Sequence, residues 1–216
     1  MHYKSIKEAV CKTALEIYKS NLVIGTWGNV SSRIDDDLCV VTPSGLAYDS
    51  LSAKDMVVVN SLGTVIEGDY IPSIETPLHT AIYQARPDVK AIVHVHSPYA
   101  TAFAVANREI PLILEETAQV IGHPVRVAAY AICGSQQLAD EAITCLSNGE
   151  KAILLANHGL VAVEESLSKA LKVCLIAEKT AMIAINALKI GSINPLSAED
   201  TSLLNEKFKS YGQEKK

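Results

Sequence analysis

Residues 91–98 read Ala-Ile-Val-His-Val-His-Ser-Pro. Ala91–His96 is a β-branched run that reads as a buried strand, and Pro98–Ala106 reads as the helix that follows it. Successive side chains of a strand point to opposite faces. His94 and His96 therefore project together, while Val93 and Val95 face the other way into a core. Two imidazoles on one face of a stiff strand suit two neighbouring positions around a small ion; the same pair also reads as two polar residues on a half-exposed strand.

Outward from this strand, regular elements alternate in both directions. Upstream, helical spacing of Ile6, Val10, Ala14 and Ile17 marks a helix over 5–20, with Ser5 able to cap its start and Asn21 to end it. Short strands follow at Val30–Ile34, Leu38–Thr42, Met56–Asn60 and Thr64–Ile66, separated by the turns Asp35-Asp36-Asp37 and Ser61-Leu62-Gly63. A helix opens near Thr76-Pro77 and runs to about Arg86. Downstream come a strand at Val125–Tyr130 and a helix at Gln136–Leu146. Strands at Ala152–Ala156 and Leu160–Val163 are broken by Asn157-His158-Gly159. A long helix covers Ser166–Lys189, and the polar tail Ser197–Lys216 begins as a helix. No repeat or linker divides residues 1–216. The pattern predicts one α/β domain, of mixed α+β type, with a central mixed β-sheet flanked by helices. The hairpins expected between 30 and 66 argue against a doubly wound parallel sheet.

Composition narrows the partners. The chain of 216 residues carries a net charge of −5, which argues against nucleic acid, since the phosphate backbone needs a basic face. A small anion remains possible through backbone N–H groups or a metal ion. No uncharged run approaches the roughly 20 residues of a membrane span. The N-terminus enters an amphipathic helix and not an apolar signal core. Five scattered cysteines, none in a Cys-x-x-Cys pair, read as free thiols of a reducing cytoplasm.

His158 changes the weight of the His94/His96 pair. It follows the apolar run Ile153-Leu154-Leu155-Ala156 and precedes Gly159, as a side chain aimed into a site at a strand end would. Catalytic zinc sites commonly use three protein ligands and keep one position open. His2, His79 and His123 read as structural. Glu75, just ahead of a helix, is either a helix-dipole partner or a ligand and general base. Two loops, Gly25-Thr26-Trp27-Gly28-Asn29-Val30-Ser31 and Thr42-Pro43-Ser44-Gly45, have the glycines and small donors to hold an anion, or are simply turns. Neither is a P-loop.

Taken in order, these two loops, Ser73-Ile74-Glu75, Val93-His94-Val95-His96, Asn157-His158-Gly159-Leu160 and Lys207-Phe208-Lys209-Ser210-Tyr211-Gly212 resemble the class II aldolase/adducin family. The likeness is strongest to members acting on L-fuculose 1-phosphate. The resemblance implies a class II aldolase-like fold assembled as a homotetramer, with active sites at subunit boundaries. It implies one zinc ion per subunit on His94, His96 and His158, with Glu75 as fourth ligand and catalytic base. It implies a phosphate site at Gly28, Asn29, Ser44, Gly45 and Ser73, and a C-terminal segment, about 197–216, that closes Tyr211 over the site. The implied activity is reversible cleavage of a ketose 1-phosphate to dihydroxyacetone phosphate and a short aldehyde. Family relatives instead epimerise L-ribulose 5-phosphate or dehydrate methylthioribulose 1-phosphate, and adducin-like heads are non-catalytic interaction modules. Ile74, Glu115 and Cys133 depart from the fuculose-phosphate pattern, which has a serine, a tyrosine and a phenylalanine there.

Overall fold

Eight strands hydrogen-bond into one mixed sheet in the computed structural model, which describes residues 3–209. In chain order they are β1 (Asn29–Arg33), β2 (Leu38–Val41), β3 (Val57–Asn60), β4 (Val65–Glu67), β5 (Ala91–Val95), β6 (Val127–Ala128), β7 (Ala152–Leu155) and β8 (Gly159–Glu164). Their spatial order is β4-β3-β2-β1-β5-β8-β7-β6. All neighbours are antiparallel except β6 and β7. The hairpins expected between 30 and 66 are thus present, and one parallel pair makes the sheet mixed.

Helices cover both faces because the central strands are apolar on both. One face packs Val30, Val93, Val95 and Leu160 against α1 (Lys4–Lys19), α3 (Pro98–Val105) and α6 (Leu167–Ile190). The other packs Val41, Ile92, Ile153 and Val161 against α2 (Thr76–Ala85) and α5 (Gln136–Cys145). Burying a valine or isoleucine side chain contributes about 1.5–3 kcal/mol, so β5, buried at every position, is a stiff mount. Among the described residues, no helix is long and apolar enough to cross a membrane.

Several boundaries differ from the pattern reading. Ser5 lies inside α1, and Tyr3 occupies the N-cap with φ 56° and no side-chain cap bond. Asn21 follows the helix with φ 56°, as a terminating residue should. The strand expected at Val125–Tyr130 shrinks to Val127–Ala128 plus an isolated bridge from Val125 to Ile110. A short helix, α4 (Glu115–Val120), carries no periodic signal in six residues. The C-terminal helix, α7 (Ala198–Lys209), docks on α4 through Asn205, whose amide donates to the carbonyls of Ala118 and Gln119.

Candidate metal centre

His94 sits in the middle of β5, between β1 and β8, opposite Asn29 on one side and Val161 on the other. Its side chain is fully buried. Its Nδ1–H donates to the Leu160 carbonyl at 3.0 Å, which leaves the Nε2 lone pair facing away from the backbone. His96 follows two residues on, just past the strand end. His158 comes from the three-residue turn joining β7 to β8, where Leu155 pairs with Gly159. That turn closes with Asn157 at φ 57°, a conformation asparagine tolerates better than most residues.

The three imidazoles converge. His94 Nε2 lies 2.9 Å from His96 Nε2 and 3.3 Å from His158 Nε2. The rings stand 4.7–4.8 Å apart, edge to face. Two nitrogens each about 2.0–2.1 Å from a tetrahedral ion are separated by roughly 3.3 Å. Glu75 completes the group. It is the N-cap residue of α2, yet its carboxylate makes no cap bond. It turns inward, with Oε2 3.1 Å from His94 Nε2 and Oε1 3.5 Å from His158 Nε2. The helix-dipole role open to Glu75 from sequence is therefore replaced by a place among the imidazoles.

These four residues offer ligand atoms that all lie within 4.8 Å of one another. The donor set fits a divalent transition metal: three nitrogens and one oxygen, with Glu75 Oε1 buried and lacking a hydrogen-bond partner among the described residues. The electrostatics agree. Burial pushes the Glu75 carboxyl up, but the His94 and His158 charges and the hydrogen bond from Asn29 outweigh it and hold it below the usual carboxylate range. Burial drives His96 down to about 3 and His158 down to about 4, in both cases aided by His94. Burial also opposes charge on His94, but Glu75 and the Leu160 carbonyl raise its pKa overall. Two neutral imidazoles and a carboxylate are the protonation states that metal ligation requires.

Two glycines make room for the cluster. A β carbon on Gly159 would stand 2.4 Å from the Val95 carbonyl oxygen and 3.1 Å from the His96 ring. Gly28 has φ 117°, and a β carbon there would meet the His94 carbonyl oxygen at 2.8 Å.

Glu75, His96 and His158 line a cleft of about 400 Å³, with His94 buried next to them. Gly28, Asn29, Ser44, Gly45 and Ser73 all line this cleft, so the two glycine-marked loops and the 73–75 segment meet beside the imidazoles. The Ser44 N–H donates to the Ile71 carbonyl, the Ser73 N–H to the Thr42 carbonyl and the Val30 N–H to the Thr42 hydroxyl, which joins the two loops and the segment before Glu75 to one another. Ile74 is 62% exposed at the rim, and Cys133 lines the wall. Glu115 is an exposed residue at the start of α4. Tyr211 lies outside the described residues.

Three neighbours of the cluster drew little from the pattern: Trp27 entered only as part of a loop, His79 only as structural, and Tyr83 not at all. Trp27 stands over His96, ring centres 5.9 Å apart, and is 66% exposed. His79 and Tyr83, on the buried face of α2, reach Asn29 and Ser31 behind the cluster. The available signal was a histidine and a tyrosine at helical spacing from Glu75, on the same side as Leu78 and Ile82. His123 is structural, as expected: its Nε2 accepts from the Lys151 N–H.

Comparison with known proteins agrees with this geometry. Residues 8–185 match the family described as Class II Aldolase and Adducin N-terminal domain. The L-fuculose phosphate aldolase of Escherichia coli (strain K12) is 37% identical over 213 residues, spanning 98% of each chain. The 5-deoxy-D-ribulose 1-phosphate aldolase of Bacillus thuringiensis is 36% identical over 209 residues, 96% of this chain and 97% of that one. A solved L-fuculose 1-phosphate aldolase superposes with a TM-score of 0.92 at 35% identity, covering 97% of this chain and 98% of its own.

Proposed function

Because the chain belongs to the class II aldolase and adducin family, we propose that it is a zinc-dependent aldolase that reversibly cleaves a ketose 1-phosphate to dihydroxyacetone phosphate and a short aldehyde. The observation that carries this reading is the Glu75–His94–His96–His158 cluster, three of whose members line a cleft together with the small-donor loops. The two relatives compared act on ketose 1-phosphates that differ at the far end of the carbon chain. The phosphorylated half is the common element, and the aldehyde half is the variable one.

A divalent ion held by the four residues supplies Lewis acidity, which stabilises the negative charge that develops when a carbon–carbon bond next to a carbonyl breaks. The chain's own residues do the rest. The three histidines are mounted on β5 and the β7–β8 turn, whereas Glu75 sits on the turn before α2 and is the ligand free to yield to substrate. A released Glu75 carboxylate can accept the proton that the hydroxyl gives up as it becomes the aldehyde, and pass it to the carbon that loses its bond. Gly28, Asn29, Ser44, Gly45 and Ser73 bind the phosphate through neutral donors, and this remote contact fixes the reacting carbons over the cluster. Asn29 spends one amide hydrogen on Glu75 and keeps its second. Tyr211 shares the proton handling from the C-terminal tail.

The protein works as a cytoplasmic homotetramer with the cleft at a subunit boundary. Exposed apolar residues support this: Trp27 and Ile74 at the cleft, and Leu188 and Ile190 at the end of α6, the last 91% exposed. A coupled assay for dihydroxyacetone phosphate, run on L-fuculose 1-phosphate and 5-deoxyribulose 1-phosphate before and after chelation, tests the activity. Chelator-sensitive release from either substrate is expected. Conversion without release of dihydroxyacetone phosphate would assign an epimerase or dehydratase instead.

A further inference from the structure

Behind Glu75 runs an unbroken line of buried side chains built from two interleaved periodicities. Glu75 at the N-cap of α2 and His79 and Tyr83 within it are four residues apart and lie along one side of the helix. On β1, Asn29 and Ser31 are two residues apart and share one strand face. The two sets mesh like alternating teeth. Asn29 Nδ2 donates to Glu75 Oε2 at 2.7 Å, His79 Nε2 meets Asn29 Oδ1 at 2.5 Å, Ser31 Oγ meets His79 Nδ1 at 2.6 Å, and Tyr83 Oη meets Ser31 Oγ at 2.8 Å. His79 and Ser31 are fully buried.

The direction of every bond follows from one end. The Glu75 carboxylate can only accept, so the amide of Asn29 must present its NH₂ to it and its oxygen to His79. His79 Nε2 must then carry the hydrogen. Burial drives its pKa down to about 3, so the ring is neutral and its Nδ1 is an acceptor. Ser31 therefore donates to Nδ1 and accepts from the Tyr83 hydroxyl. Reversal at any one link would leave two acceptors or two donors face to face in a dry interior, which costs about 1–3 kcal/mol for each unsatisfied group.

We propose that His79 is a positioning residue: with Ser31 and Tyr83 it locks the Asn29 amide in the orientation that aims Glu75 into the metal cluster. The inference rests on the proposed role of Glu75 as a metal ligand. Without His79, the Asn29 oxygen loses its buried donor and the Glu75 carboxylate alone is left to orient the amide. A flipped amide would set its oxygen against the Glu75 carboxylate and push that ligand away.

Cobalt(II) loading tests this, because its visible bands report coordination and its dissociation constant reports site quality. His79→Leu is expected to weaken cobalt binding 10–100-fold, the usual range for residues that orient a ligand. It should also move the bands in the direction that Glu75→Gln moves them. His79→Gln, which offers both a donor and an acceptor, should restore part of the loss. Ser31→Ala should cause a smaller shift in the same direction. In the metal-free protein, nitrogen NMR should show His79 as the Nε2–H tautomer, with that preference weakened in Ser31→Ala. If His79→Leu does not fold, the Ser31→Ala bands and tautomer decide. Wild-type cobalt affinity and bands in both His79→Leu and Ser31→Ala, alongside a changed Glu75→Gln, would overturn the inference alone. An unchanged Glu75→Gln would remove the ligand reading of Glu75 and this inference with it.

Discussion

The β carbon that Gly159 lacks would stand 3.1 Å from the imidazole of His96. The closer neighbour of that missing atom is the Val95 carbonyl oxygen, at 2.4 Å, and backbone cannot swing aside as a flexible side chain can. Gly159→Ala must therefore separate β8 from the end of β5, where two of the imidazoles are mounted. We expect zinc affinity to fall at least tenfold, the lower bound for disturbing ligand orientation, while the helical circular dichroism persists. Isothermal titration of the variant checks this; wild-type affinity would mean that the strands absorb the methyl group.

Glu75 and His96 separate a catalytic metal from a structural one. Glu75→Gln is nearly isosteric and leaves three histidines in place, so most of the metal should remain. Turnover should nevertheless drop by roughly two to four orders of magnitude, the scale for a positioned acid–base group. His96→Ala should lose the metal itself. Metal content and initial rate on both proteins decide the matter, and a Glu75→Gln variant turning over at the wild-type rate would end the base assignment.

Phosphate recognition should divide between the loops. The Asn29 side chain lies 2.7 Å from Glu75 as well as on the cleft, so Asn29→Ala is expected to lower kcat on any substrate. Ser44 has no such second duty; its side chain is exposed on the cleft wall. Ser44→Ala should raise KM for the phosphorylated ketose about 3–10-fold, the worth of one ordinary hydrogen bond, and leave a non-phosphorylated analogue unaffected. Equal losses for both substrates would remove Ser44 from the phosphate site.

Acid should destabilise the chelated protein well above the carboxylate range. Burial holds His79 near 3 and His96 near 3, with His158 near 4, against about 6.5 for the unfolded chain. Between those values the unfolded state takes up protons that the folded state refuses, so stability is complete above pH 6.5 and falls as pH drops. His79, fully buried, supplies a slope of about 1.4 kcal/mol per pH unit by itself. The raised pKa of His94 works in the opposite sense, favouring the folded state at low pH, and offsets only part of this. Glu75, held low, adds its own loss once pH falls below about 4.5. Thermal melts of chelated protein from pH 7.5 to 5 should shift steadily downward, and a flat profile would contradict the buried, neutral state of His79.

Much of this was legible from the chain alone, because it depends on local period and residue chemistry. Alternation along 91–96 places His94 and His96 on one face whatever the surrounding fold, and the hairpins between 30 and 66 follow from turn residues next to β-branched runs. Glycine and asparagine around His158 mark a sharp turn between two apolar strands. Other features were decided only by the tertiary structure, since they are relations between segments distant in sequence. Whether Glu75 serves its own helix or the imidazoles depends on how α2 lies across β1 and β5. Asn29 reads as a small donor in a loop until strand pairing sets it opposite His94. His79 reads as one more buried polar residue until Ser31 and Asn29 supply its two partners. A two-residue strand such as β6, or a six-residue helix such as α4, is too short for periodicity to outweigh noise. Packing against neighbours selects those elements, and packing is not written in any single stretch of the chain.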